Sequence, residues 1–187
     1  MLHELQRYRA QFACNKAQVN AELASGVLTT TFSSGTIDHA ITDLVRDINA
    51  LPFMHTGQTC AGHFYSREEL QLGASFPYSE TCLPAEGNGL YADGFLQLVF
   101  APSLRAKHCM ATIRELLQDQ DHAHEEQRET LFMYKDPTLQ DLFMHVNFDN
   151  TGGDAWDPIE LPIAEGNERI ARVTKLHNEF HDLFLQY

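Results

Sequence analysis

The residues Thr56-Gly57-Gln58-Thr59-Cys60-Ala61-Gly62-His63 set a thiol and an imidazole three positions apart. These side chains are the most readily tuned for metal binding, nucleophilic attack or proton transfer near neutral pH. Gly57 and Gly62 allow a tight turn or the close approach of a ligand. As zinc ligands Cys60 and His63 need a second pair, because structural zinc takes four nitrogen or sulfur ligands. Cys82 and His145 complete such a set only if the fold gathers them. As a nucleophile Cys60 needs a nearby cation or a paired imidazole, and His63 is nearest in sequence. A small buried thiol beside a loop histidine explains the pair equally well.

Other candidates are weaker or more local. In Leu142 to Phe148 strict alternation puts Leu142, Met144, Val146 and Phe148 on one face of a strand, with Phe143, His145 and Asn147 on the other. If that second face is open, His145 and Asn147 point at whatever binds there. His177 and His181 stand at i, i+4 on one helix face, but the glutamate that follows the first histidine of a metalloprotease helix is absent. His122 and His124 sit in an acidic stretch that reads as a solvated linker. Asp149 to Asp154 departs from the calcium-loop pattern and reads as a polar loop opened by an Asx turn. No metal site is assigned, and no glycine-rich phosphate-binding loop occurs.

The elements that must position these residues follow from periodicity. Leu5, Tyr8, Phe12, Val19 and Leu23 predict an amphipathic helix over residues 2–24. A second helix runs from about Ile37, capped by Thr36, and stops at Pro52. Phe53 to Cys60 reads as a strand leading into the Cys-Ala-Gly-His turn. Pro77, Pro84, Gly73, Gly87 and Gly89 make 65–93 a long irregular excursion, with a helical turn or two at Arg67 to Leu72. Phe95 to Phe100 is a strand, and Ser103 caps a helix through about Gln118. Strands at Leu131 to Tyr134 and Leu142 to Phe148 flank a Lys135-Asp136-Pro137-Thr138 turn. A loop carrying Gly152, Gly153 and Trp156 then leads into a last helix from about Glu165 to Tyr187. The expected fold is a single α+β domain spanning 1–187, with a four-stranded, mainly antiparallel sheet packed against helices in the order ααββαββα.

Composition narrows the function. Of 187 residues 43% are hydrophobic and 21% charged, values of an ordinary globular chain with a sizeable core. The net charge of −13, from 26 acidic against 13 basic residues, disfavours nucleic acid and anionic membrane surfaces. Arg169, Arg172 and Lys175 form a local basic stripe that reads as solvated surface. No apolar run reaches the roughly 18 residues of a membrane helix. Four widely spaced cysteines without a leader segment read as reduced thiols of a cytoplasmic protein.

Two segments together resemble a known family. Thr56 to His63, following a helix that ends Ile48-Asn49-Ala50-Leu51-Pro52, resembles the Thr-Ser-Ser-Cys-Ser-Gly-Arg segment of the wybutosine-synthesis tRNA methyltransferases. Phe143-Met144-His145-Val146, preceded by Met133-Tyr134-Lys135-Asp136-Pro137, resembles a later Ile-Leu-His-Val strand there. The resemblance covers about residues 36–149 and implies an α/β sandwich, S-adenosylmethionine as cofactor, and Thr59, Cys60, Gly62 and His145 near the site. His63 stands where the family has arginine, and 65–93 has no counterpart. The Cys-x-Gly-His form is also similar to small bacterial and phage proteins without assigned activity. The expectation is a small-molecule or nucleotide-binding transferase in which Cys60, His63 and His145 act on substrate, with Thr59, Gly62 and Asn147 around the cofactor. The alternative is a non-catalytic interaction or regulatory module, dimeric through an outer helix. S-Adenosylmethionine and zinc are the cofactors to test.

Overall fold

The computed structural model describes residues 2–25, 29–30, 33–34, 39–74, 82–126, 142–149 and 157–187. The expected Thr36 cap, the 131–134 strand, the turn after it, and the loop with Gly152, Gly153 and Trp156 lie outside the described residues. Helix α1 spans Leu2–Ser25. The two-residue strands β1 (Thr29–Thr30) and β2 (Ser33–Ser34) pair with each other. A 3₁₀ turn, His39–Ile41, leads into α2, Thr42–Ala50. Leu51, ahead of Pro52, turns extended (ψ 129°) and ends the helix, as a residue before proline must. Strand β3 is Met54–Cys60 and β4 is His63–Ser66.

Helix α3, Arg67–Gln71, starts in a reciprocal capping box between Ser66 and Glu69. Strands β5 (Asn88–Ala92) and β6 (Phe95–Phe100) follow. Helix α4, Leu104–Gln118, opens with the Ser103 hydroxyl accepting from the Ala106 amide. Strand β7 is His124–Glu126, β8 Phe143–Asn147 and β9 Ile159–Pro162, with α5 at Ile163–Phe184. The stretch read as irregular thus holds β4, α3 and β5, and the acidic linker holds β7 with Ala123 buried.

Two antiparallel sheets result, one of four strands in the order β3-β6-β8-β7 and one of three in the order β4-β5-β9. They share two chain segments. β3 continues into β4 while β5 continues into β6, and the pair stays in register from Cys60 opposite Phe95 to His63 opposite Ala92. The ribbon bends between them, where Gly62 adopts φ +80°. A Cβ on Gly62 would sit 3.0 Å from the Gly94 nitrogen, and one on Gly94 would sit 2.9 Å from the Ala61 carbonyl. The corner therefore needs glycine on both strands, once for its dihedral and once for close backbone approach.

One face of the large sheet makes the core. Leu96, Leu98 and Phe100 of β6 and Met144 and Val146 of β8 pack in one cluster with Ile113 of α4 and Val173, Leu176 and Phe180 of α5. Phe148 meets Phe180 edge-on at 5.6 Å. Helix α5 also reaches the small sheet, where the Phe64 ring fills the place a Cβ of Gly166 would take, 2.2 Å from that ring. Among the described residues no helix is long and apolar enough to cross a membrane.

Candidate functional site

The face of the large sheet opposite the α5 core carries the chemistry. Directly paired residues on neighbouring strands share a face. Cys60 pairs with Phe95, Phe95 with Asn147, and Asn147 with His124, so one row crosses all four strands. The next row holds Gln97 and His145. His124, read from sequence as part of a solvated linker, thus belongs beside Asn147. Thr59 pairs with Leu96 and falls on the opposite face from Cys60.

A bulge feeds the second row. Between the pairs Thr56–Leu98 and Thr59–Leu96, the two residues Gly57 and Gln58 oppose the single Gln97. A Cβ on Gly57 would lie 2.9 Å from Gln97 Oε1, so only glycine leaves that amide in place. The Gln58 amide donates to Gln97 Oε1 at 3.1 Å. Gln97 Nε2 then donates to His145 Nδ1 at 3.3 Å, and His145 Nε2 donates to Asn147 Oδ1 at 3.0 Å. With the Gln58 amide fixing Gln97 Oε1 as acceptor, these bonds are consistent with Nδ1 of His145 accepting and Nε2 donating. Phe95 stacks on the imidazole at 5.2 Å between centroids. His145 is 1% exposed and both its ring nitrogens have hydrogen-bond partners, Gln97 and Asn147.

The opening pair of residues is divided by the corner. Cys60 is buried at the end of β3 and its thiol is free. His63 starts β4 in the other sheet, half-buried and stacked on Tyr65 at 5.9 Å. Gly62 supplies the left-handed dihedral between them. Cys82 is exposed and Cys109 is buried, its thiol pushed up to about 12 by that burial. Among the described residues no three His, Cys, Asp or Glu side chains gather as a metal site. His177 is buried edge-on against Phe148 at 4.5 Å, and His181 pairs with Asp47 at 2.6 Å, so this i, i+4 pair serves helix packing.

Sequence reasoning missed two clusters. Arg169 and Arg172 are not a solvated stripe. Their side chains are 19% and 34% exposed, and both reach the buried Asp149 Oδ2, at 3.3 and 3.6 Å. The Tyr91 hydroxyl donates to the same oxygen at 3.1 Å, and burial followed by the Asp149 charge raises its pKa. The i, i+3 spacing of the arginines was the available signal, but their acid comes from a distant strand end. The second cluster lies under α1. His55 faces Phe12 at 5.2 Å, and Lys16 Nζ donates to the carbonyls of Asn49 (2.9 Å) and Met54 (2.7 Å). A separate shallow groove of about 410 Å³ runs between α4 and α5, lined by Leu116, Leu183 and the acids Glu115, Asp119, Glu179 and Asp182.

No protein-family model matches the chain, and a search of curated proteins finds no match. Among solved structures it is similar to the PH1069 protein from Pyrococcus horikoshii, with a TM-score of 0.42 and 10% identity over 96% of this chain and 91% of that one. A second structure, of the PH1069 protein from Pyrococcus horikoshii OT3, gives 0.38 and 11% over 96% and 88%.

Proposed function

We propose that the chain is a cytoplasmic small-molecule-binding transferase whose site is the sheet face of Cys60, Phe95, Asn147 and His124, next to the glycine corner. The observation that carries this reading is the hydrogen-bonded relay Gln58–Gln97–His145–Asn147. Only His145 in the relay is buried, while Gln97 and Asn147 are part-buried and Gln58 is exposed, so a polar chain that fixes amide and imidazole orientation at a partly open face fits recognition better than core stability. The half-buried Phe95 ring suits a planar heteroaromatic ligand such as a nucleoside, and Cys60 adds a soft, polarisable neighbour. A net charge of −13 favours a small ligand over a polyanionic nucleic acid.

S-Adenosylmethionine, implied by the resemblance, is compatible with these residues at its adenosine end, through the Phe95 ring and the Asn147 amide. When bound it would supply an electrophilic methyl group. His145 is the positioning residue, while His124, in register with Asn147, is the imidazole left to move a proton. Zinc fits poorly, because Cys60 and His63 lie across the corner and lack a second pair.

Calorimetry and thermal unfolding with adenosine and with S-adenosylmethionine test the reading. Ligand at 100 times its dissociation constant should add about 2.7 kcal/mol of stability, and Phe95→Ala should abolish the effect. No binding of either compound at millimolar concentration would overturn it. The interaction-module alternative would then gain ground, with the acid-walled α4–α5 groove and a light-scattering measurement of oligomeric state as its starting points.

A further inference from the structure

On the relay's face His55 has a ring nitrogen without a hydrogen-bond partner. Its Nδ1–H donates to the Thr56 carbonyl at 2.9 Å, while Nε2 is buried and makes no hydrogen bond. The residue is 1% exposed and its ring lies on Phe12 of α1. A bare nitrogen lone pair in such a place is a modest cost, but a proton there would be an unmet N–H on a buried cation. Of the elements packed around it, α1 brings Lys16, while β6 brings the apolar Val99 in direct register. Lys16 is the charged group among the described residues that acts on His55, and it is a cation.

We infer that α1 is a strap whose docking is coupled to the protonation of His55: the neutral imidazole lets the helix lie down, and a proton on Nε2 drives it off. Docking rests on the buried Asn15 and Val19 and on Leu23 against Ile41, Val45 and Ala61, together with three contacts near His55. Tyr8 donates its hydroxyl to the Phe100 carbonyl at 2.6 Å, Phe12 covers His55, and Lys16 caps the end of α2. A helix held by side-chain contacts outside the sheet's hydrogen-bonded ladder is the kind of unit that opens locally before the sheet does. Undocking lets water reach Nε2 and separates it from Lys16, so the released state takes the proton the docked state refuses. Desolvation, and then Lys16, lower the imidazole's pKa in the docked state, which agrees with the geometry. Release would bare the His55 end of the face whose other end carries Phe95 and Asn147, whatever that face binds.

Hydrogen exchange of the full chain at about pH 7.5 and about pH 5.5, corrected for intrinsic rates, reads the coupling. At the lower pH a free imidazole is about ten times more often charged than neutral, so α1 amides should lose up to about tenfold in protection while β6 and β8 keep theirs. His55→Phe should abolish the change. Unchanged α1 protection, equal loss in α1 and β6, or a tenfold loss that survives His55→Phe would each overturn the coupling. If His55→Phe does not fold, an NMR titration of His55 in the unmodified chain decides. A midpoint clearly below 6.5 that rises in Lys16→Met supports the strap, and a midpoint at or above 6.5 ends it.

Discussion

His145 and His55 lie on the same face of the same sheet, on β8 and β3, and each is 1% exposed. Their surroundings differ in one respect. Both nitrogens of His145 have hydrogen-bond partners, whereas one nitrogen of His55 has none. Equal burial therefore yields opposite properties. A satisfied imidazole in low dielectric is rigid and specifies its neighbours, while a half-satisfied one is the point where a change of pH does work.

The comparison breaks most visibly at His145. His145→Leu should cost about 2–4 kcal/mol in urea unfolding at pH 7.5, because the part-buried Gln97 Nε2 and Asn147 Oδ1 each lose a bond worth about 1–2 kcal/mol. The double variant Gln97→Leu, His145→Leu should recover part of that. A loss below 0.5 kcal/mol for the single variant would mean that the relay does not hold the sheet face together. Gly57→Ala should come next, at about 1–2 kcal/mol, since the new methyl lies 2.9 Å from Gln97 Oε1 and 3.1 Å from its Cβ. Because it displaces the glutamine that orients His145, it should also weaken adenosine binding.

How much of this could be read in the sequence varies by kind of signal. Helix α4 and its Ser103 cap, β6, and the alternation of β8 rest on local patterns and were legible. So was the Ser66-x-x-Glu69 capping signature, although it was read only as a turn or two. The small sheet was not, because β4 and β9 are four residues long and gain their stability from pairing with β5 across distant sequence. The site was legible in part. Cys60, His145 and Asn147 share a face, but His63 is cut off by a dihedral at Gly62, and Thr59 points to the other face by plain alternation with Cys60. The dihedral leaves no mark in hydrophobic periodicity. Asp149 with its arginines, and His55 with Phe12, are contacts between segments far apart in the chain, for which a single sequence carries no spacing rule.

The folded pKa of His55 lies below the ordinary 6.5. Above pH 6.5 the imidazole is neutral in both folded and unfolded chains and contributes no pH dependence. Below it the unfolded chain binds the proton first, so stability falls with pH until the folded value is reached. One unit below 6.5 the loss should approach about 1.4 kcal/mol, measured as the difference in unfolding free energy between the wild type and His55→Phe. His145, whose replacement has the larger effect at neutral pH, should show no matching release of α1.

The smallest expected effect is that of His55→Phe at pH 7.5. The substitution removes the bond to the Thr56 carbonyl, worth about 1 kcal/mol net, and leaves that oxygen one acceptor short. It also removes a buried nitrogen that was already unpaired and enlarges the apolar contact with Phe12. These opposing contributions should nearly cancel, leaving stability within about 1 kcal/mol of wild type. A histidine whose replacement costs little at neutral pH, and which nevertheless controls α1 protection at acid pH, is present for what its second nitrogen does when it is charged. A loss of several kcal/mol at pH 7.5 would instead place His55 with His145, as a second structural imidazole.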